Sequence, residues 1–101
     1  MADDQSMDKG RVEFRIHALK RMFQRQISNA AVLHVLDTGA TVEQYLDDFP
    51  YPSRLVLGWW ESRPIHVVVA DNTEEEIRIV VTVYQPDLEE WEPGFTRRRK
   101  P

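Results

Sequence analysis

The chain has 101 residues, a 42% hydrophobic and 30% charged composition, a formal net charge of −4 and no cysteine. That is length for one domain with a modest core. The missing thiols exclude a disulfide framework, a zinc–thiolate or iron–sulfur centre and a cysteine nucleophile, and the acidic balance argues against non-specific coating of nucleic acid.

Residues 1–10 are polar and end in Gly10, the pattern of a disordered terminus. They lack the basic and apolar regions of a signal peptide, and no apolar run is long enough to span a bilayer. The expectation is a cytoplasmic protein of bacterial type with no membrane segment. Arg11–Arg15 alternates, with Val12 and Phe14 on one side, and reads as a short strand or extended lead-in.

A helix follows at about 16–26. Counted at about 100° per residue, His17, Lys20, Arg21, Gln24 and Arg25 fill one arc. Ala18, Leu19, Met22, Phe23 and Ile27 fill the rest, interrupted by Gln26. Leu19, Met22 and Phe23 are expected to cover a sheet and leave the cationic arc outside the core. Ser28 is a good N-cap for a second helix over 29–38, which Gly39 ends.

Thr41–Leu46 is a weaker strand, expected at an edge. Residues 47–53 contain Pro50 and Pro52 and should be irregular. Residues 54–60, 65–70 and 76–84 are rich in β-branched and aromatic residues and read as strands joined by hairpins. Alternation assigns Leu55, Leu57, Trp59, Ile65, Val67, Val69, Ile77, Ile79, Val81 and Val83 to the face under the helices. His66, Arg78 and Tyr84 fall on the opposite, mixed face. Pro86 ends the last strand, Trp91 and Phe95 tuck back, and residues 96–101 form a loose basic tail. The expected fold is α+β: two N-terminal helices on one face of a three- to four-stranded antiparallel sheet, a single domain over 11–95.

His17 stands in the first helical turn one turn from Arg21. Both the helix N-terminus and the neighbouring cation disfavour imidazolium. Neutral imidazole beside guanidinium groups suits phosphoryl chemistry, the imidazole taking a proton while arginine binds the phosphate. His17, His34 and His66 lack metal-ligand spacing, so neither a metal nor a cofactor is expected. The candidate catalytic residues are His17, Arg21 and Tyr84; Arg25, His66, Arg78 and Lys20 are candidate substrate contacts. A solvated helix face and an ordinary cross-strand polar patch explain the same residues without function. Because the helices cover the other face of the sheet, the helix stripe and the His66–Tyr84 group need not meet.

His17-Ala18, Arg21-Met22, Arg25 and Ile27-Ser28, followed by Pro64-Ile65-His66-Val67-Val68 and Ile79–Tyr84 with Pro86, resemble the small bacterial family catalogued as domain of unknown function 4258. The resemblance spans about residues 14–92, with Gln26 where that family usually has Gly. It implies kinship with RelE- and barnase-like toxin ribonucleases, and so a metal-independent endoribonuclease that attacks phosphate through the ribose 2′-OH. It also implies an RNA substrate and a small antitoxin protein as partner. The alternative is a non-catalytic protein-binding module or an inactive toxin-like domain. Oligomeric state is not legible.

Overall fold

A computed structural model describes residues 10–100; nearly all of the terminus expected to be disordered lies outside them. The chain order is β1 (Arg11–Phe14), α1 (Ile16–Arg25), α2 (Asn29–Thr38), β2 (Ala40–Tyr45), β3 (Ser53–Trp60), β4 (Arg63–Asn72) and β5 (Ile77–Tyr84). The strands form one sheet in the order β1-β5-β4-β3-β2.

The fold is α+β, but the expected three- to four-stranded antiparallel sheet is corrected to a five-stranded mixed one. β1 pairs in parallel with β5, Arg11 opposite Ile77 through Phe14 opposite Val80. The remaining pairs are antiparallel. Alternation showed that residues 11–15 were extended, but a parallel partner lies across the whole intervening chain and leaves no local signal.

Each helix has a local reason for its ends. Ser28 caps α2 by accepting a hydrogen bond from the Ala31 N–H at 3.1 Å. Gln26 ends α1 in the left-handed conformation at φ 57°, where glycine would be unstrained. The Arg63 guanidinium donates to the carbonyls of Gln26 and Arg25 at 2.9 and 3.1 Å. A cation there complements the negative end of the helix dipole.

The expected division of sheet faces is also overturned. Trp60 pairs with Arg63 across a two-residue turn in which Glu61 and Ser62 both have positive φ, the turn that matches strand twist. Val56 therefore sits opposite Val67, and Leu57 opposite His66, so odd positions of β3 share a face with even positions of β4. A register shift beside Val68 and Val69 divides β5 as well.

The core under the helices comprises Val56, Ile65, Val67, Val69, Val80 and Val83, met by Ala18, Met22, Ile27, Ala31, Val32 and Val35. Gly58 lies beneath α2, where an added Cβ would come within 2.9 Å of Val35. Leu55 and Leu57 are buried on the other side. Trp59, expected in the core, is half exposed there and meets Phe95 edge-on at 6.0 Å, while Trp60 packs towards α2 against His34.

α1 buries only Ala18 and Met22. Leu19 and Phe23, expected to cover the sheet, are 47% and 87% exposed, and Ile16 is 71% exposed. The reason is placement: α1 lies over β5 near the sheet's edge, where a narrow stripe suffices.

The second face is covered by the segment after β5. Trp91 is fully buried and bridges to Arg98, whose guanidinium lies 4.6 Å over its ring. Arg98 also pairs with Glu43 on β2 at 3.0 Å. Arg99 donates its N–H to the Glu90 carbonyl at 2.8 Å. The basic run expected as a loose tail thus contributes Arg98 and Arg99 to a strap across the sheet.

Candidate functional site

β1 ends opposite Val80, where the Arg15 N–H donates to the Val80 carbonyl at 3.0 Å. The chain then turns into α1, and residues 81–84 of β5, held by β4 on one side, have no strand beside them on the β1 side among the described residues. α1 runs along that open edge, anchored through Ala18 and Met22. His17, Arg21 and Arg25 flank this anchored stripe and overhang the edge.

There they line an open cleft of about 580 Å³ with Thr82, Tyr84 and Gln85. Asp87 and Glu90, from the strap, form its opposite wall. The helix stripe and the sheet residue Tyr84 therefore do share one cavity. They meet around the edge of β5 rather than through the sheet. Thr82 faces the cleft because it pairs with Val68 just before the register shift, which aims it towards the strap side.

Within the cleft, Arg21 Nε donates to His17 Nε2 at 3.4 Å. In this bond Nε2 is the acceptor. No carboxylate lies in ion-pair contact with Arg21 or Arg25 among the described residues. Asp87 is occupied: its Oδ1 accepts the N–H groups of Glu89 and Glu90 at 2.9 and 3.0 Å, which holds Glu90 in place at the mouth.

Tyr84 links the cleft to the buried face. His66 Nε2 lies 2.9 Å from the Phe95 carbonyl, which can only accept, so Nε2 carries the proton. Nδ1, 3.2 Å from the Tyr84 hydroxyl, then accepts from it. Burial pushes the Tyr84 phenol up to about 12, and it stays protonated at neutral pH. His66 is 0% exposed, with Trp91 edge-on at 4.5 Å. Burial lowers its pKa below the ordinary imidazole value, partly offset by the Phe95 carbonyl and Glu43.

Of the seven candidates, the structure brings His17, Arg21, Arg25 and Tyr84 together. His66 sits behind Tyr84, shielded from any ligand in the cleft. Lys20 is exposed on the helix and does not line the cleft. Arg78 lies at the other end of β5 and lines a separate hollow with His34 and Trp60. Thr82, Gln85, Asp87 and Glu90 were missed. Thr82 follows from the edge geometry, and the two acids sit in a stretch whose path over the sheet has no periodic signature.

Among the described residues, no three His, Asp or Glu side chains converge to hold a metal ion, and no helix is long and apolar enough to cross a membrane. A family model described as Domain of unknown function (DUF4258) matches residues 14–85. Neither a curated protein nor a solved structure matches the chain. The matched span runs from the end of β1 to just past β5, and so contains both the overhanging helix and the open strand edge. The chain belongs to the DUF4258 family.

Proposed function

We propose that the cleft binds and cleaves the RNA backbone, its side chains alone moving the protons, and that the protein is the toxin of a toxin–antitoxin pair. The observation that carries this reading is the contact of His17 Nε2 with Arg21 Nε in one cleft with Arg25, whose guanidinium has no carboxylate partner among the described residues. Arginine forks match phosphate oxygens and stabilise the charge that builds on them.

In this reading Arg21 and Arg25 seat the scissile phosphate, and Arg21 releases Nε2 as it does so. His17 takes the proton from the ribose 2′-OH as that oxygen bonds to phosphorus. The bond from phosphorus to the 5′ oxygen breaks, and that oxygen takes the phenolic proton of Tyr84, whose hydroxyl turns from His66 Nδ1 to give it; the proton His17 gained passes to solvent, and solvent returns one to Tyr84. The products are a 2′,3′-cyclic phosphate and a 5′-hydroxyl.

The test is cleavage of single-stranded and ribosome-bound RNA in EDTA. His17→Ala is expected to lower the rate by about 100-fold or more with an unchanged circular dichroism spectrum. A folded wild-type protein that leaves both RNAs intact ends the reading. As a toxin, the protein is expected to arrest growth when induced, and co-expression of a small antitoxin should relieve the arrest.

One observation favours a second reading, a non-catalytic protein-binding module. Ile16, Leu19 and Phe23 form an exposed apolar ridge on α1 with the i, i+3, i+7 spacing of helix-in-groove anchors. A module of this kind keeps its partner when His17 and Arg21 become alanine, and loses it in Phe23→Glu.

A further inference from the structure

A smaller pocket of about 240 Å³ opens beside the cleft, on the strap side of the sheet. Its floor is Val68, Ala70 and Val81; Arg15 stands at its lip, and the loop carrying Asp48, Phe49 and Tyr51 closes its far side. The two cavities border each other twice. Val68 of the pocket is the cross-strand partner of Thr82 of the cleft, and such partners lie about 5 Å apart. Arg15 is two residues from His17, at most about 7 Å along the chain.

The geometry points to this pocket as a nucleobase subsite for the residue flanking the phosphate held by Arg21 and Arg25. The inference rests on the proposed function. Its chemistry has three parts. The floor is small and aliphatic, so a planar ring can lie on it. Phe49 lines the pocket yet is 93% exposed, an aromatic face with nothing stacked on it among the described residues and available to a base. The polar edge is a carboxylate: the Ser53 hydroxyl donates to Asp48 Oδ2, leaving Oδ1 to accept. A carboxylate reads N–H donors, so the preferred base is one that presents ring or amino N–H groups. Arg15 offsets the acid and faces the backbone between the two cavities.

The experiment uses the full chain, inorganic phosphate and the four 2′-deoxynucleoside 3′-monophosphates, which lack the attacking hydroxyl, in calorimetric titrations. At least one nucleotide is expected to bind about fivefold or more tightly than inorganic phosphate, a difference within the range of one base–aromatic stack. Phe49→Ala should erase that difference without changing phosphate binding, and Phe49→Trp should keep it. The inference is overturned if nucleotides bind no more tightly than phosphate, or if the preference survives Phe49→Ala. Those results leave the proposed phosphate site standing. That site itself fails if phosphate binds equally well to the Arg21→Ala, Arg25→Ala double variant, or does not bind the wild type, and the subsite then fails with it.

Discussion

His66 was read from the sequence as a polar residue on an open face, and its chemistry is set instead by what lies over it. Alternation placed it correctly on the side of Tyr84, its cross-strand partner. Trp91, 25 positions away, then removes it from water. Because burial depresses its folded-state pKa below that of the unfolded chain, the unfolded state binds more protons in the interval between the two values. Stability from this residue is therefore complete above about pH 6.5 and is lost as pH falls below it. His66→Gln, which can still accept from Tyr84 and donate to the Phe95 carbonyl, is expected to flatten that dependence. Denaturant unfolding measured between pH 7.5 and 5.5 checks it; an equal slope in the variant refutes the assignment.

Among the elements, α1 carries the most information and was the most misread. Its periodicity was legible, as were its boundaries and the cationic arc of His17, Arg21 and Arg25. Which apolar residues would be buried was not, because an amphipathic helix has two apolar flanks and the sequence does not say which one meets the sheet. At the edge of β5 the answer is the narrow Ala18–Met22 stripe. Met22→Ala is expected to cost about 2–5 kcal/mol, whereas Phe23→Glu should change stability by no more than about 0.5 kcal/mol. Paired chemical denaturation curves separate the two. If Phe23→Glu costs as much as Met22→Ala, Phe23 is buried in solution and the ridge does not exist. The same edge placement turns the cationic arc towards Thr82 and Tyr84, which no pattern internal to the helix specifies.

In the molecule as a whole, the strap after β5 closes the second face of the sheet and supplies the acidic wall of the cleft. It is fastened by Arg98, which pairs with Glu43 and stacks on Trp91. This contact holds the Glu43 carboxyl below its usual range, chiefly through the Arg98 hydrogen bond. The pair is partly solvated, so its removal should cost no more than about 1 kcal/mol of global stability. The local effect is larger. In Arg98→Ala, amide exchange over residues 90–99 is expected to accelerate while β3, β4 and β5 keep their protection, because a strap with one buried anchor opens separately from the sheet. Unchanged exchange in the strap would show that Trp91 alone holds it.

The sequence by itself determined the α+β class, both helices, the Ser28 and Gly39 ends of α2, the three long strands, the family and four of the five residues that line the cleft from α1 and β5. These depend on spacing and residue type within a few positions, and short-range periodicity records them. Only the tertiary structure decided that β1 adds a parallel edge strand, that the hairpin at Glu61 and Ser62 reverses the faces, and that the strap buries His66. It also decided that α1 lies beside the half of β5 whose outer edge β1 leaves open. The hairpin is local, but its register turns on backbone conformation at two residues; the others are pairings between segments far apart in the chain, chosen by which apolar surfaces remain to be covered. The cleft exists because β1 stops at Phe14 while β5 runs on to Tyr84, so that a helix and an open strand edge are left facing the same space.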